Sequence, residues 1–123
     1  MVRKSADWVP ERGDMIYINH SPQAGAEMPG EHPLLVCSTK RFHERTNIVI
    51  GFPMTHADYN KDNPFAVPVK GPRNQIGYVL TFRPKSFDWR ERRARAHPWG
   101  GGHNDVLLAA LEQLDSICGI CQA

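Results

Sequence analysis

Two kinds of apolar periodicity divide this 123-residue chain very unevenly. Only its end carries a helical stripe, formed by Leu107, Ala110, Leu111, Leu114, Ile117 and Cys118, which fall on one face at helical spacing. Asn104 is a good N-cap residue, Asp105 suits the positive end of the helix dipole, and Gly119 suits its termination. Everything before that stripe is short and strand-like. Residues 13–20 alternate, with Met15, Tyr17 and Asn19 on one face and Ile16 and Ile18 on the other. Residues 33–39 and 47–54 are apolar runs of buried-strand type. Residues 65–69 and 77–82 are two more strands, separated by the turn-forming Gly71-Pro72-Arg73-Asn74. Residues 84–90 read as one helical turn and residues 92–97 as a basic strand. A single domain over 1–123 is expected, mainly β with a C-terminal helix. Its strands, about five to seven, should form a strongly bent sheet closed into a partial barrel.

Two polar loops interrupt this pattern. Residues 21–31 are rich in Pro, Gly and Ala and carry Glu27, and loops of this length in small domains tend to serve function. Residues 56–64 hold Asp58, Tyr59, Asn60, Lys61 and Asp62. The formal charge is only +2, but Arg83, Lys85, Arg90, Arg92, Arg93 and Arg95 crowd one segment. That cluster fits either a phosphate-tracking surface or an ordinary solvated strand and turn. The 3 cysteines are an odd number, against a disulfide framework. Cys118-x-x-Cys121 stands at the end of a helix, where the dipole does not lower a thiol pKa, so chance spacing is the better reading. None of the 6 histidines has zinc-ligand spacing, and no metal or other cofactor is expected. No apolar run reaches the roughly 18 residues of a membrane span, and residues 1–14 lack the apolar core of a secretory signal. Cytoplasmic location is the expectation.

The most specific segment runs from Gly13 to Thr55. It reads Gly13-Asp14, an alternating strand, Pro22-x-x-Gly25-x-Glu27, the turn Gly30-Glu31-His32-Pro33, an apolar strand reaching Ser38, and Pro53-x-Thr55. In content and order it resembles the MazF/PemK family of toxin endoribonucleases. The likeness extends over roughly residues 11–119, with Lys85-Ser86-x-x-Trp89-Arg90 as further support. The resemblance implies an SH3-like barrel with a C-terminal helix, a homodimer, and metal-independent cleavage of single-stranded messenger RNA by the substrate's own 2′-hydroxyl. It also implies a partner, a small antitoxin with an acidic flexible tail.

Glu27, His32 and Thr55 stand at the family's catalytic positions. His32 replaces the family's arginine: imidazole cannot copy a guanidinium fork, but it exchanges protons near neutral pH. Arg41 and Arg45, in the following turn, are alternative sources of a guanidinium. Tyr59, Phe82, Lys85 and Arg90 are candidates for gripping RNA by stacking and charge. Ser38 reads as a structural hydrogen-bonder, since no nucleophile elbow surrounds it. His56 is singled out because it adjoins Thr55. Thr81-Phe82-Arg83-Pro84 stands where many relatives have Asp-Gln and an aliphatic residue, which implies a different base-reading surface. Two other readings remain: a topoisomerase poison resembling CcdB, though no Trp-Gly-Ile ending is present, and a non-catalytic SH3-like binding module.

Overall fold

The computed structural model describes residues 8–21 and 30–119. In chain order the elements are β1 (Met15–Asn19), β2 (Glu31–Val36), α1 (Lys40–Thr46), β3 (Ile48–Thr55), β4 (Ala66–Lys70), β5 (Ile76–Leu80), β6 (Lys85–Asp88), β7 (Arg95–Ala96) and α2 (Asn104–Cys118), with short 3-10 turns at Asp58–Asp62 and Pro72–Asn74. The strands form one seven-stranded antiparallel sheet in the order β4-β5-β3-β2-β1-β7, with β6 also on β3. It is bent but not closed, the expected mainly β architecture with a C-terminal helix.

β3 is the shared strand. Its first half pairs with β6, Val49 facing Phe87. Its middle pairs with β2, Leu34 facing Pro53. Its last two residues pair with β5, Thr55 facing Tyr78. Gly51 sits in the middle because β2 passes so close: a Cβ there would lie 2.3 Å from the Leu35 carbonyl oxygen.

Strand alternation sends apolar side chains to both faces of the sheet. On one face Met15, Leu35, Phe52, Met54, Val67, Val69 and Val79 pack with Leu107 and Ala110 of α2. On the other Ile16, Ile18, Leu34, Val36, Val49 and Phe87 pack with Val9 and Trp89. α2 therefore covers the first face with the predicted stripe, although the stripe runs out into solvent: Ile117 is 44% exposed. Its cap is one residue earlier than expected, with His103 preceding a helix that starts at Asn104 and ends on left-handed Gly119.

Three expectations need correction. Residues 40–46 form helix α1, not a turn; Thr39 Oγ1 accepts from Phe42 N at 3.3 Å and Asn47 stops the helix in the left-handed region. Residues 84–90 hold strand β6 rather than a helical turn, because Phe87 is buried in the β3 pairing. The basic strand shrinks to the two residues of β7, paired to Ile16 and Tyr17.

Candidate active site

The second face of the sheet changes character at one end. Ile16 and Ile18 continue the alternation into His20, which is fully buried. Leu34 is preceded on the same face by His32, whose backbone pairs with Ile18. Phe87 is preceded on that face by Lys85, which pairs with Gly51. Apolar packing thus gives way to two imidazoles and an ammonium. The His20 and His32 rings meet edge to face at 5.7 Å, and His20 lies 4.9 Å from the Phe87 ring. His32 therefore belongs to a strand rather than to a turn, and its direction is fixed by the β1–β2 register.

Burial drives the His20 pKa down to about 4, helped by the charges of His32, Lys85 and Arg92. His20 is consequently neutral at physiological pH. Arg92 lies over the Phe87 ring at 4.7 Å and donates to the carbonyls of Asn19 at 2.6 Å and of Ser21. These contacts pin the start of the 21–31 loop. Its other end is pinned as well: His20 N donates to Gly30 O at 2.7 Å and Gly30 N to Ser21 Oγ at 2.6 Å, with Gly30 at φ 82°. Glu27 itself lies outside the described residues.

Thr55 ends β3. Its face follows from alternation with Val49, Gly51 and Pro53, so it shares the His32 face. The β2–β3 ladder ends at Leu34–Pro53, so His32 and Thr55 each lie two residues beyond its last pair, on the same face. Thr55 Oγ1 accepts from Ala57 N at 3.2 Å, which leaves its proton able to point outward.

The other sequence candidates fall elsewhere. Tyr59 is 81% exposed on the Asp58–Asp62 turn. Phe82 stands at the surface beside Phe65, ring centroids 6.5 Å apart. Arg90 packs on Trp89 at 4.3 Å and donates to Asn47 Oδ1 at 2.8 Å, which places it at the opening of β3. Exposed Arg41 and Arg45 sit on α1 at that same end. A strand of 8 residues is ~25 Å long, so none of these three guanidiniums adjoins Thr55. Ser38 is structural: its Oγ accepts from Ile50 N at 2.8 Å and bonds His43 Nε2 at 2.6 Å, while His43 Nδ1 meets Pro10 O at 2.7 Å. Much of the basic cluster is likewise tied down, Arg95 by Glu31 at 2.6 Å and by the Tyr17 ring at 4.4 Å. His20 was overlooked by motif reading, yet its place two residues after Ile18 is the signal that would have found it. Among the described residues no three His, Cys, Asp or Glu side chains gather to hold a metal ion, and no helix is long and apolar enough to cross a membrane.

A bent antiparallel sheet with a C-terminal helix, and a polar end where β1, β2 and β3 meet, is an arrangement shared with a known class of toxins. The profile of PemK-like, MazF-like toxins of type II toxin–antitoxin systems matches residues 11–117, and the chain belongs to that family. It is 32% identical over 87 residues to the endoribonuclease toxin MazF of Escherichia coli K12, covering 71% of this chain and 76% of that one. It is 28% identical over 94 residues to the Escherichia coli endoribonuclease PemK, covering 75% and 69%. Among solved structures, MazF from Deinococcus radiodurans superposes with a TM-score of 0.80 at 34% identity, over 92% of this chain and 99% of that one. A MazE–MazF complex from the same organism gives 0.77 at 34% identity, over 92% and 98%.

Proposed function

We propose that this toxin is a metal-independent, sequence-selective endoribonuclease that cuts single-stranded messenger RNA and arrests translation. The observation that supports the reading is a shared face: alternation puts His32, two residues before Leu34, and Thr55, two residues after Pro53, on the side of the sheet that also holds His20 and Lys85. The identity to named endoribonucleases supports the reaction class.

In the proposed reaction Glu27 takes the proton of the substrate's 2′-hydroxyl. The 2′-oxygen attacks phosphorus as the bond to the 5′-oxygen breaks. Protonated His32 delivers its proton to that leaving oxygen. Thr55 receives a hydrogen bond from Ala57 N and donates its own proton to a non-bridging oxygen. Lys85 adds positive charge beside the imidazoles. His20, whose ring lies 5.7 Å from that of His32, is held neutral by burial and so adds no second charged imidazole there. The products are a 2′,3′-cyclic phosphate and a 5′-hydroxyl.

Two partners complete the proposal. A homodimer provides the RNA groove, and a small antitoxin with an acidic tail blocks it; relatives solved as MazE–MazF complexes support the second. Cytoplasmic action follows from the substrate. Incubating the purified chain with a long RNA in EDTA tests the chemistry. Cuts within one short sequence, leaving cyclic phosphate and 5′-hydroxyl ends, are expected. Cleavage that required a divalent ion, or left 5′-phosphates, would refute it.

A further inference from the structure

On the opposite face of the sheet, at the same end of β3, lies a cavity of about 380 Å³ lined by Tyr17, His56, Arg73, Gln75, His97 and Trp99 among others. A volume near the small end of the usual ligand range suits one nucleotide-sized group. Its walls are rings held in fixed directions. Trp99 meets His56 and His97 edge to face, each at 5.5 Å, and His97 leans on Tyr17 at 4.5 Å. The indole is seated on Gly71, where a Cβ would fall 2.1 Å from its carbons. His97 Nδ1 accepts from Trp99 N at 3.0 Å, and burial lowers its pKa, so this imidazole is neutral. His56 Nδ1 donates to Ile76 O at 3.1 Å.

The rim carries a strained arginine. Arg73 has φ 59° and ψ 36°, and Asn74 follows at φ 60°, with Gln75 N donating to Pro72 O at 3.2 Å. Two successive left-handed residues make a primed hairpin turn between β4 and β5, a conformation that favours Asn-Gly. A sequence chosen for stability alone would not place arginine first. Strain of this kind concentrates at ligand clamps.

Aromatic walls, two imidazoles, one amide and one permanent cation, with no carboxylate among the lining residues, suit a planar hydrogen-bonding ring attached to an anion. The cavity also adjoins the reaction centre. His56 directly follows Thr55 where β3 ends, so an RNA strand crossing this rim meets both. We propose that the cavity is a base-reading subsite for single-stranded RNA, with Arg73 on a phosphate and Gln75 on the base edge, next to the linkage cut at Thr55. This inference rests on the endoribonuclease reading above.

The test compares the wild-type chain with Arg73→Asn and Gln75→Ala, by steady-state cleavage, by mapping of cut sites, and by binding of a 2′-O-methyl RNA that cannot be cut. Arg73→Asn should raise KM and the RNA Kd about tenfold at nearly constant kcat, and lower the slope of log Kd against log salt by about 0.7, one phosphate contact on a single strand. Its thermal midpoint should be unchanged or higher, since asparagine relieves the turn, which separates lost contact from lost fold. Gln75→Ala should cut at additional sequences that differ at one base position. Wild-type KM, Kd, salt slope and cut sites in both variants would overturn the subsite while leaving the nuclease intact. A wild-type chain that bound the uncleavable RNA in an Arg73-dependent way yet cut nothing would uphold the subsite and overturn the nuclease.

Discussion

His20 makes the fold sensitive to mild acid by an amount that can be worked out. The imidazole is fully buried among Phe87, His32 and the charges of Lys85 and Arg92, and its pKa lies at about 4 instead of 6.5. Above pH ~6.5 the folded and unfolded chains both hold it neutral, and its contribution is fully present. Below that, the unfolded chain binds a proton that the folded chain refuses, so stability falls with pH until about 4. Linkage gives a loss of about 1.4 kcal/mol at pH 5.5 and about 2.5 kcal/mol at pH 4.5. Burial also lowers the pKa of His43 and His97, so the whole protein should lose more than this. His20→Phe isolates the one residue, because phenylalanine retains an aromatic ring against Phe87 and cannot titrate. Urea unfolding at pH 7.5, 5.5 and 4.5 should show the wild type losing stability faster than the variant, by those differences. Added salt should narrow the gap by screening His32, Lys85 and Arg92. Parallel pH profiles for the two proteins would refute the reasoning, whatever their stabilities at pH 7.5.

Two further outcomes follow from the geometry. Ser38→Ala removes a hydroxyl that serves both Ile50 N and His43 Nε2, and should cost about 1–3 kcal/mol in urea unfolding with little change in the rate of RNA cleavage. Thr55→Val should do the reverse: under about 1 kcal/mol of stability, from the lost bond to Ala57 N, but a roughly hundredfold fall in single-turnover cleavage.

Strand alternation made most of the sheet legible, because one-face and two-face burial both leave a period of two in the sequence. Ile16 and Ile18 face the second core as read, and Leu107 and Ala110 of the terminal stripe seal the first. Helix α1 was hidden because Lys40–Thr46 buries only His43 and so shows no apolar stripe; Thr39 and Asn47, its cap and its stop, were the only marks. β6 was hidden for a similar reason, with Phe87 its one buried residue. At the site, the motif led to His32 and Thr55, and register showed how they share a face. Neither His20 nor the ring cavity carries a motif. His20 depends on alternation running past the end of a strand, and the cavity on contacts between β1, the β4–β5 turn and the His97-Pro98-Trp99 segment, which no local pattern encodes.

The central claim is that an imidazole on β2 does proton work that a guanidinium could not. Single-turnover cleavage by His32→Ala and His32→Arg, in EDTA and across pH 5–9, tests it most directly. The account predicts a loss of roughly 10²–10⁴-fold for the alanine variant at an unchanged thermal midpoint, and a loss for the arginine variant as well at every pH tested. Wild-type rates from His32→Ala would contradict it.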